Sequence, residues 1–231
     1  MASQKQKKLN GALFAAIIRG DIGKVRAAID AGADLEAVGD QGQPPLHLAT
    51  RKGYVPIAKL LLERGARVEI ANIPALQPLH GAAWNGHEAA VKLLLEWGAT
   101  PDLASSQGWT PLHDAVWTNR HGVAEILLEW GAKANARNDD GMTPLHQAAT
   151  RGHKEMAALL LEHGADPAAR DNREQTPAAC AAEEGYPEIA RLIAECASPE
   201  DMKKRRREAV AKEIRRQQRR LGSRRPRGPG L

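Results

Sequence analysis

The feature that most limits how this chain can fold is a spacing of 33 residues that recurs in three columns of its sequence. Two columns are unbroken, one of proline and one of glycine: Pro45, Pro78, Pro111, Pro144 and Pro177, and Gly32, Gly65, Gly98, Gly131 and Gly164. The third column is Gly20, Gly53, Gly86, Asn119, Gly152 and Gly185. Its one exception is asparagine, which also takes positive φ readily. Such a period predicts a repeat protein in which each copy forms one supersecondary unit.

One copy, residues 110 to 132, indicates how each unit is expected to fold. Thr110 is a favourable helix N-cap, and Pro111 follows at the first helical position, where its missing N–H costs nothing. A short apolar stripe ends at Asn119, a second apolar helix follows, and Gly131 suits a left-handed C-terminal cap. The polar stretch 132 to 143 then predicts an extended turn that leads into the next copy.

Columns that keep one residue type between copies are expected to form the core, and variable columns are expected to face solvent. One column is always alanine, which predicts that two helices approach too closely for a larger side chain, and another is always a large aliphatic residue. Their members are Ala16, Ala49, Ala82, Ala115, Ala148 and Ala181, and Leu61, Leu94, Leu127, Leu160 and Ile193. Because helices this short are not stable alone, stability must come from stacking copy upon copy.

Short motifs repeat in register with these columns: TPLH at 110–113 and 143–146, PPLH at 44–47, QPLH at 77–80, and LLEWGA at 94–99 and 127–132. They resemble the ankyrin repeat family over roughly residues 10 to 197. The resemblance implies an all-α fold, a solenoid of stacked helix-turn-helix units with β-turn fingers and a concave binding face.

The first and last copies depart from the pattern in the way that capping repeats do. The first lacks the TPLH segment, and the last carries alanines after Pro177 in place of leucine and histidine. We therefore expect a basic N-terminal extension (1–8), an N-terminal capping repeat (9–39), four full repeats (40–171), a C-terminal capping repeat (172–197) and a basic tail (198–231). The tail is expected to be part helical and part disordered.

Nothing in the sequence indicates catalytic chemistry, so the chain is expected not to be an enzyme and to need no cofactor or metal. The recurring histidines His47, His80, His113 and His146 belong to the TPLH column, and stacked helices lie about 8–10 Å apart, too far to share zinc ligands at about 2 Å. We interpret them as hydrogen-bonding residues between loop and helix. Cys180 and Cys196 are interpreted as structural, no apolar run is long enough to cross a membrane, and a monomer is expected.

The resemblance places the binding surface at the fingers and at the ends of the first helices. Trp84 and Trp117 share a column with Arg51 and Glu183, and a core column would not tolerate those charges, so the two indoles are predicted to face outward. The candidate protein-binding residues are Trp84, Trp109, Trp117, Ile73, Leu76, Met142, Arg51 and Arg151. Trp97 and Trp130 stand beside the capping glycines instead and are predicted to pack against the helix end.

The sign of the net charge differs between residues 1 to 200 and the tail. Residues 1 to 200 carry 20 Lys and Arg against 25 Asp and Glu, whereas residues 201 to 231 carry 13 against 3. The tail opens with the cluster Lys203, Lys204, Arg205, Arg206 and Arg207, which suits a nuclear import signal, the binding of nucleic-acid phosphates or a segment that only adds solubility. The chain is expected in the nucleus, the cytoplasm or both.

Three functions follow from these features. The first is a protein-protein interaction adaptor or regulator that binds its partner through a Trp-rich concave face, with the tail for import or a second contact. The second is a nucleic-acid-associated factor that binds RNA or DNA phosphates through the tail. The third is an inhibitor that occludes a partner enzyme. The sequence does not name the partner, because repeat surfaces of one fold serve many functions.

Overall fold

The computed structural model describes residues 3–39, 42–69 and 77–197, and these residues form twelve α-helices and no β-strand. The all-α fold predicted from the repeats is therefore confirmed. The helices are α1 (Gln4–Arg19), α2 (Ile22–Asp30), α3 (Pro45–Arg51), α4 (Val55–Glu63), α5 (Pro78–Asn85), α6 (Glu88–Glu96), α7 (Pro111–Trp117), α8 (His121–Glu129), α9 (Pro144–Thr150), α10 (Lys154–Glu162), α11 (Pro177–Glu183) and α12 (Pro187–Glu195).

The ends of these helices follow the local signals of the sequence. Thr110 is the N-cap of α7, and Pro111 is its first residue. The His113 side chain completes a capping box, since its Nδ1 accepts a hydrogen bond from the Thr110 backbone N–H at 3.1 Å. Asn119 takes a φ of 54° and Gly131 one of 89°, as their columns predict. At the amino end, α1 begins at Gln4, so that most of the basic extension is helical.

The chain divides into two compact units, unit 1 (Met1–Leu127) and unit 2 (Leu128–Leu231). Within unit 1, the first helices of successive copies pack side by side in the order α1, α3, α5 and α7, and the second helices α2, α4 and α6 pack in the same order. Within unit 2, α9 packs against α11 and α10 against α12. Each unit therefore consists of helix pairs that cover one another's apolar faces.

The predicted core columns are buried in both units. Every alanine of its column is at most 3% exposed, and every residue of the aliphatic column is fully buried. Ala82 and Ala115, for example, lie in the packed helices α5 and α7 of unit 1 with no exposed area. The prediction that small residues allow close helix packing and large aliphatic residues fill the core is confirmed.

The turns that the structure describes in full, those leading into the third, fourth and fifth TPLH-type segments, are hydrogen-bonded fingers. In unit 1, the backbone N–H of Ser105 donates to the carbonyl of Trp109 at 2.7 Å. In unit 2, Asn138 donates to Met142 at 3.1 Å, and Asp171 donates to Gln175 at 3.0 Å. The last finger has Glu174 at a φ of 61°, where three earlier copies have Gly42, Gly108 and Gly141, each at a φ of 74°.

A residue from the following copy covers several of the glycines that end the first helices. A Cβ on Gly53 would lie 2.7 Å from Nδ1 of His87 in unit 1, and a Cβ on Gly152 would lie 2.6 Å from the ring of Tyr186 in unit 2. These glycines also take φ values of 73° and 74°. At these two positions glycine is therefore required for two reasons, the left-handed backbone and the close approach of the next copy.

Candidate functional site

In unit 1, the last residue of each first helix, or the residue before it, forms one row along the packed helices. This row consists of Ile18, Arg51, Trp84 and Trp117, one residue from each copy. Trp84 is 45% exposed, and Arg51 and Trp117 are half-buried. The indole of Trp84 therefore contacts solvent, as expected for a column that also accommodates arginine and glutamate.

Trp109 and Trp117 contact each other rather than standing apart. Their ring centroids are 5.3 Å apart with an interplanar angle of 71°, which is a favourable edge-to-face geometry. Trp109 also lies 6.1 Å from the ring of His113, whose capping box fixes its position at the start of α7. The finger and the helix end are thus joined by a pair of half-buried indoles.

Ile18 is a member of this row that the sequence analysis missed. It is 54% exposed, more than any tryptophan that the structure describes. The signal was available, since Ile18 lies 66 residues, two repeat periods, before Trp84. It was overlooked because the first copy lacks the TPLH segment that marks the register in the others.

The prediction that Trp97 packs against its helix end is wrong. Trp97 is 42% exposed, almost as much as Trp84. It is the C-cap of α6, and no described atom lies within 4 Å of the position that a Cβ on Gly98 would take. Trp130, at the corresponding position in unit 2, is half-buried.

The two candidate residues of unit 2 lie in a different chemical setting. Met142 is half-buried, and Arg151 is exposed. Met142 lines a cavity of about 290 Å³ whose wall is mainly acidic and polar. The other residues lining this cavity are Asp140, Thr150, Asp171, Asn172, Arg173, Gln175, Cys180, Glu183 and Glu184.

Several candidate residues lie outside the described part of the chain. Ile73 and Leu76 belong to the finger of the second copy, and the basic cluster belongs to the tail. The residues of that cluster are Lys203, Lys204, Arg205, Arg206 and Arg207.

His80 in unit 1 joins two successive copies. Its Nε2 lies 2.8 Å from the carbonyl oxygen of Leu103, which can only accept, so Nε2 carries a proton. Its Nδ1 lies 2.5 Å from Oδ2 of Asp114, which is buried in α7. Burial raises the pKa of the Asp114 carboxyl, and the contact with His80 opposes that rise. One proton therefore lies between the ring and the carboxyl.

His146 in unit 2 makes the hydrogen bonds of a neutral ring. Its Nδ1 accepts from the backbone N–H of Thr143 at 3.2 Å, and its Nε2 donates to the carbonyl of Gln175 at 3.1 Å. Burial lowers the pKa of His146, and the carbonyl of Gln175 partly offsets that effect. The interpretation of the column as hydrogen-bonding between loop and helix is confirmed for these two histidines.

The cysteines are free and buried, which fits their interpretation as structural residues. Burial raises the pKa of the Cys180 thiol, which keeps it protonated near neutral pH. Within residues 3–39, 42–69 and 77–197, no three His, Cys, Asp or Glu side chains are grouped so that they could hold a metal ion. No helix in those ranges is long and apolar enough to cross a membrane.

Comparison with known proteins agrees with this architecture. The family model described as Ankyrin repeats (3 copies) matches residues 2–72, 71–138 and 131–205. No curated protein matches the sequence. Ankyrin repeats generally mediate protein–protein interactions and are typically not enzymes. With helix pairs, fingers and matching sequence over most of its length, this chain belongs to the ankyrin repeat family.

Proposed function

We propose that this chain is a non-enzymatic adaptor or regulator that binds a partner protein through the first-helix ends and fingers. The observation that carries the proposal is the 45% exposed indole of Trp84 in a column whose other members include charged residues. Tryptophan is strongly enriched among the residues that dominate binding energy. A solvent-exposed indole in a variable column is therefore better explained by recognition than by packing.

The pair formed by Trp109 and Trp117 supports this proposal. Each ring limits the movement of the other, so the two indoles would lose little side-chain entropy when a partner binds. Together with Trp84 and Arg51, the pair supplies an aromatic centre next to a cation. We also propose Met142 and Arg151 as protein contacts of unit 2, considered by itself. Ile73 and Leu76 remain proposed contacts, although they lie outside the described residues.

Affinity capture with the full chain tests the proposal, using a double variant and a matched control. Trp84→Ala combined with Trp117→Ala removes two indoles of the proposed surface, and we expect it to lose specific partners. Trp97→Ala removes an equally exposed indole, 42% against 45%, at the end of a second helix, and we expect it to keep them. Thermal unfolding must first show that both variants are folded.

Two results would contradict the proposal. Equal loss of captured proteins by both variants would mean that exposed indoles bind non-specifically. Full retention by the double variant would mean that recognition takes place elsewhere on the chain.

The basic tail is proposed to direct nuclear import or to make a second contact. Its support is the excess of 13 Lys and Arg over 3 Asp and Glu in residues 201 to 231. Deleting these residues from a fluorescent fusion should abolish nuclear accumulation while leaving partner capture intact. If the deletion instead abolishes binding to RNA and to the protein partner together, the nucleic-acid-associated function replaces the adaptor.

A further inference from the structure

We propose that the partner of unit 1 presents an acidic segment that also carries apolar side chains. This inference rests on the proposed function, because it names the chemistry of the partner that the same surface binds. The surface is called the aromatic–basic face and consists of Ile18, Arg19, Arg51, Lys52, Trp84 and Trp117.

These residues form two neighbouring rows along unit 1. The helices α1, α3, α5 and α7 pack in that order, and packed helices lie about 8–10 Å apart. The Cβ of Arg51 on α3 lies 3.4 Å from the position that a Cβ on Gly81 of α5 would take, so Arg51 is adjacent to the helix that carries Trp84. The face therefore places cations within one helix spacing of large apolar side chains.

Two cations of the face take no part in the ion pairs that described residues of unit 1 form. Arg19 and Lys52 are exposed, and neither makes an ion pair with another residue that the structure describes. The ion pairs given for described residues of unit 1 are Lys24 with Asp21, Lys59 with Glu63, and Arg64 with Asp30. Asp40, in the neighbouring finger, lies outside the described residues. The positive charges of Arg19 and Lys52 are thus available for a ligand to neutralise.

The positive charge belongs to this unit and not to the repeat itself. In unit 1, the two rows carry three cations and no carboxylate over four copies, ending with Asn85 and Thr118 in the second row. The same two columns in unit 2 carry one cation and two carboxylates, as Thr150, Arg151, Glu183 and Glu184. Since the columns tolerate either sign, the basic residues of unit 1 are not required by the fold.

Charge and apolar area together define the occupant. Ile18 and Trp84, 54% and 45% exposed, offer apolar surface that only an apolar side chain would cover favourably. Arg19 and Lys52 attract carboxylates and repel basic segments. The basic tail of this chain has the same sign as the face and is excluded as its ligand. An acidic segment with interspersed aliphatic or aromatic residues satisfies both requirements.

Single-stranded nucleic acid also combines negative charge with flat apolar groups, but this face suits it poorly. Binding of that kind uses successive exposed rings on which bases stack. Trp117 is already packed edge-to-face against Trp109, and Ile18 offers no ring. Only Trp84 remains as an exposed stacking platform within the described part of the face.

Selection of binding peptides from a random phage-displayed library on the full chain tests the inference. We expect enriched peptides to be net negative and to contain aliphatic or aromatic residues. Synthetic copies should bind Arg19→Glu combined with Lys52→Glu about tenfold or more weakly than the unchanged chain at low salt. The matched control, Arg26→Glu combined with Lys92→Glu, changes net charge equally on the exposed surfaces of α2 and α6 and should bind normally. Arg19→Gln with Lys52→Gln should also weaken peptide binding, but by less. This neutral variant tests the same residues if the charge-reversed variant does not fold.

Each alternative outcome has a defined meaning. Enrichment of neutral or basic peptides, or equal binding by both charge-reversed variants, would overturn the inference. The chain could instead bind oligo(dT) more tightly than the selected peptides, and Arg19→Glu with Lys52→Glu could abolish that binding. This result would mean that the face binds nucleic acid and not a protein. If the tryptophan double variant loses its partners but the charge-reversed variant keeps them, the proposed function stands and only the acidic partner is rejected.

Discussion

Units 1 and 2 are built from the same columns, yet they use the variable positions for different chemistry. In unit 1, the row that ends the first helices carries tryptophan next to cations, whereas in unit 2 it carries threonine and glutamate beside an acidic cavity. The buried histidines differ as well, since His80 pairs with Asp114 and His146 with two backbone groups. The repeat therefore determines where a residue lies, and the individual copy determines what it does there.

The largest effect is expected from substitutions in the hydrophobic cores, and comparing them tests whether the cores of units 1 and 2 are equally important for stability. Leu94 and Leu160 occupy the same buried column in unit 1 and unit 2 and have no exposed area. Replacing either by alanine should lower the free energy of unfolding by about 2–5 kcal/mol, because the transfer energy is lost and a cavity remains. Denaturant unfolding followed by circular dichroism measures this loss.

Tryptophan fluorescence then distinguishes the units, since four of the five tryptophans lie in unit 1. A transition shifted by Leu160→Ala in circular dichroism but not in fluorescence would mean that the units unfold separately. Ile18→Ala, at a position 54% exposed, is the control and should cost far less. A cost of less than about 1 kcal/mol for both leucines would contradict their place in the core.

A smaller difference is expected between two glycines that share one column. Gly53 and Gly185 both have positive φ, 73° and 81°, so alanine strains either backbone by about 1–2 kcal/mol. A Cβ on Gly53 would also meet His87, whereas no described atom lies within 4 Å of a Cβ on Gly185. Gly53→Ala should therefore cost about 1–3 kcal/mol more, measured by thermal unfolding. Adding His87→Ala should remove that excess, and equal costs in the two single variants would disprove the role of the histidine.

The buried pair of unit 1 should respond to both substitution and pH. Asp114→Ala leaves His80 without its partner and should cost about 1–3 kcal/mol, whereas Asp114→Asn retains a hydrogen bond and should cost less. Since burial raises the pKa of the carboxyl above 3.8, its contribution to stability is present below that pH and is lost as pH rises through the native pKa. The unfolding free energy of the chain relative to Asp114→Asn should therefore fall as pH rises above about 4. Parallel stability curves would contradict this.

The smallest effect is expected at His146, with the opposite dependence on pH. Burial lowers its pKa below 6.5, so its contribution to stability is present above that pH and is lost as pH falls through the native value. Protonation of Nδ1 would remove the acceptor for the Thr143 backbone N–H. His146→Gln keeps an acceptor and a donor, as in a Thr-x-x-Gln capping box, and should change stability by less than about 1 kcal/mol at neutral pH. Denaturant titrations at several pH values check this prediction. The unchanged chain should lose stability at acid pH, and this variant should not.

Sequence reasoning predicted the parts of this molecule that depend on the repeat. The alanine and aliphatic columns, the N-cap at Thr110 and the positive φ of Asn119 all follow from local rules or from comparing one copy with the next. The alanine column recurs in six copies and the aliphatic column in five, whereas threonine is the N-cap in three copies.

Features that depend on a single neighbour could not be predicted in this way. The contact of His80 with Asp114 spans 34 residues and involves an aspartate that no other copy has in that column. The exposure of Trp97 depends on what covers the end of α6, about which the column says nothing. The edge-to-face pair of Trp109 and Trp117 depends on the finger conformation of one copy. Individual contacts of this kind determine the candidate site.

The covering of Gly53 by His87, and of Gly152 by Tyr186, gives the array a direction. Each glycine depends on the copy that follows it and not on the copy that precedes it. Cutting either unit between two such copies would consequently leave two different ends. One would have an uncovered glycine, and the other would have a ring without the glycine that it packs against. Fragments that keep the later copies should tolerate the cut differently from fragments that keep the earlier ones, and a designer who shortens the array should choose the side accordingly.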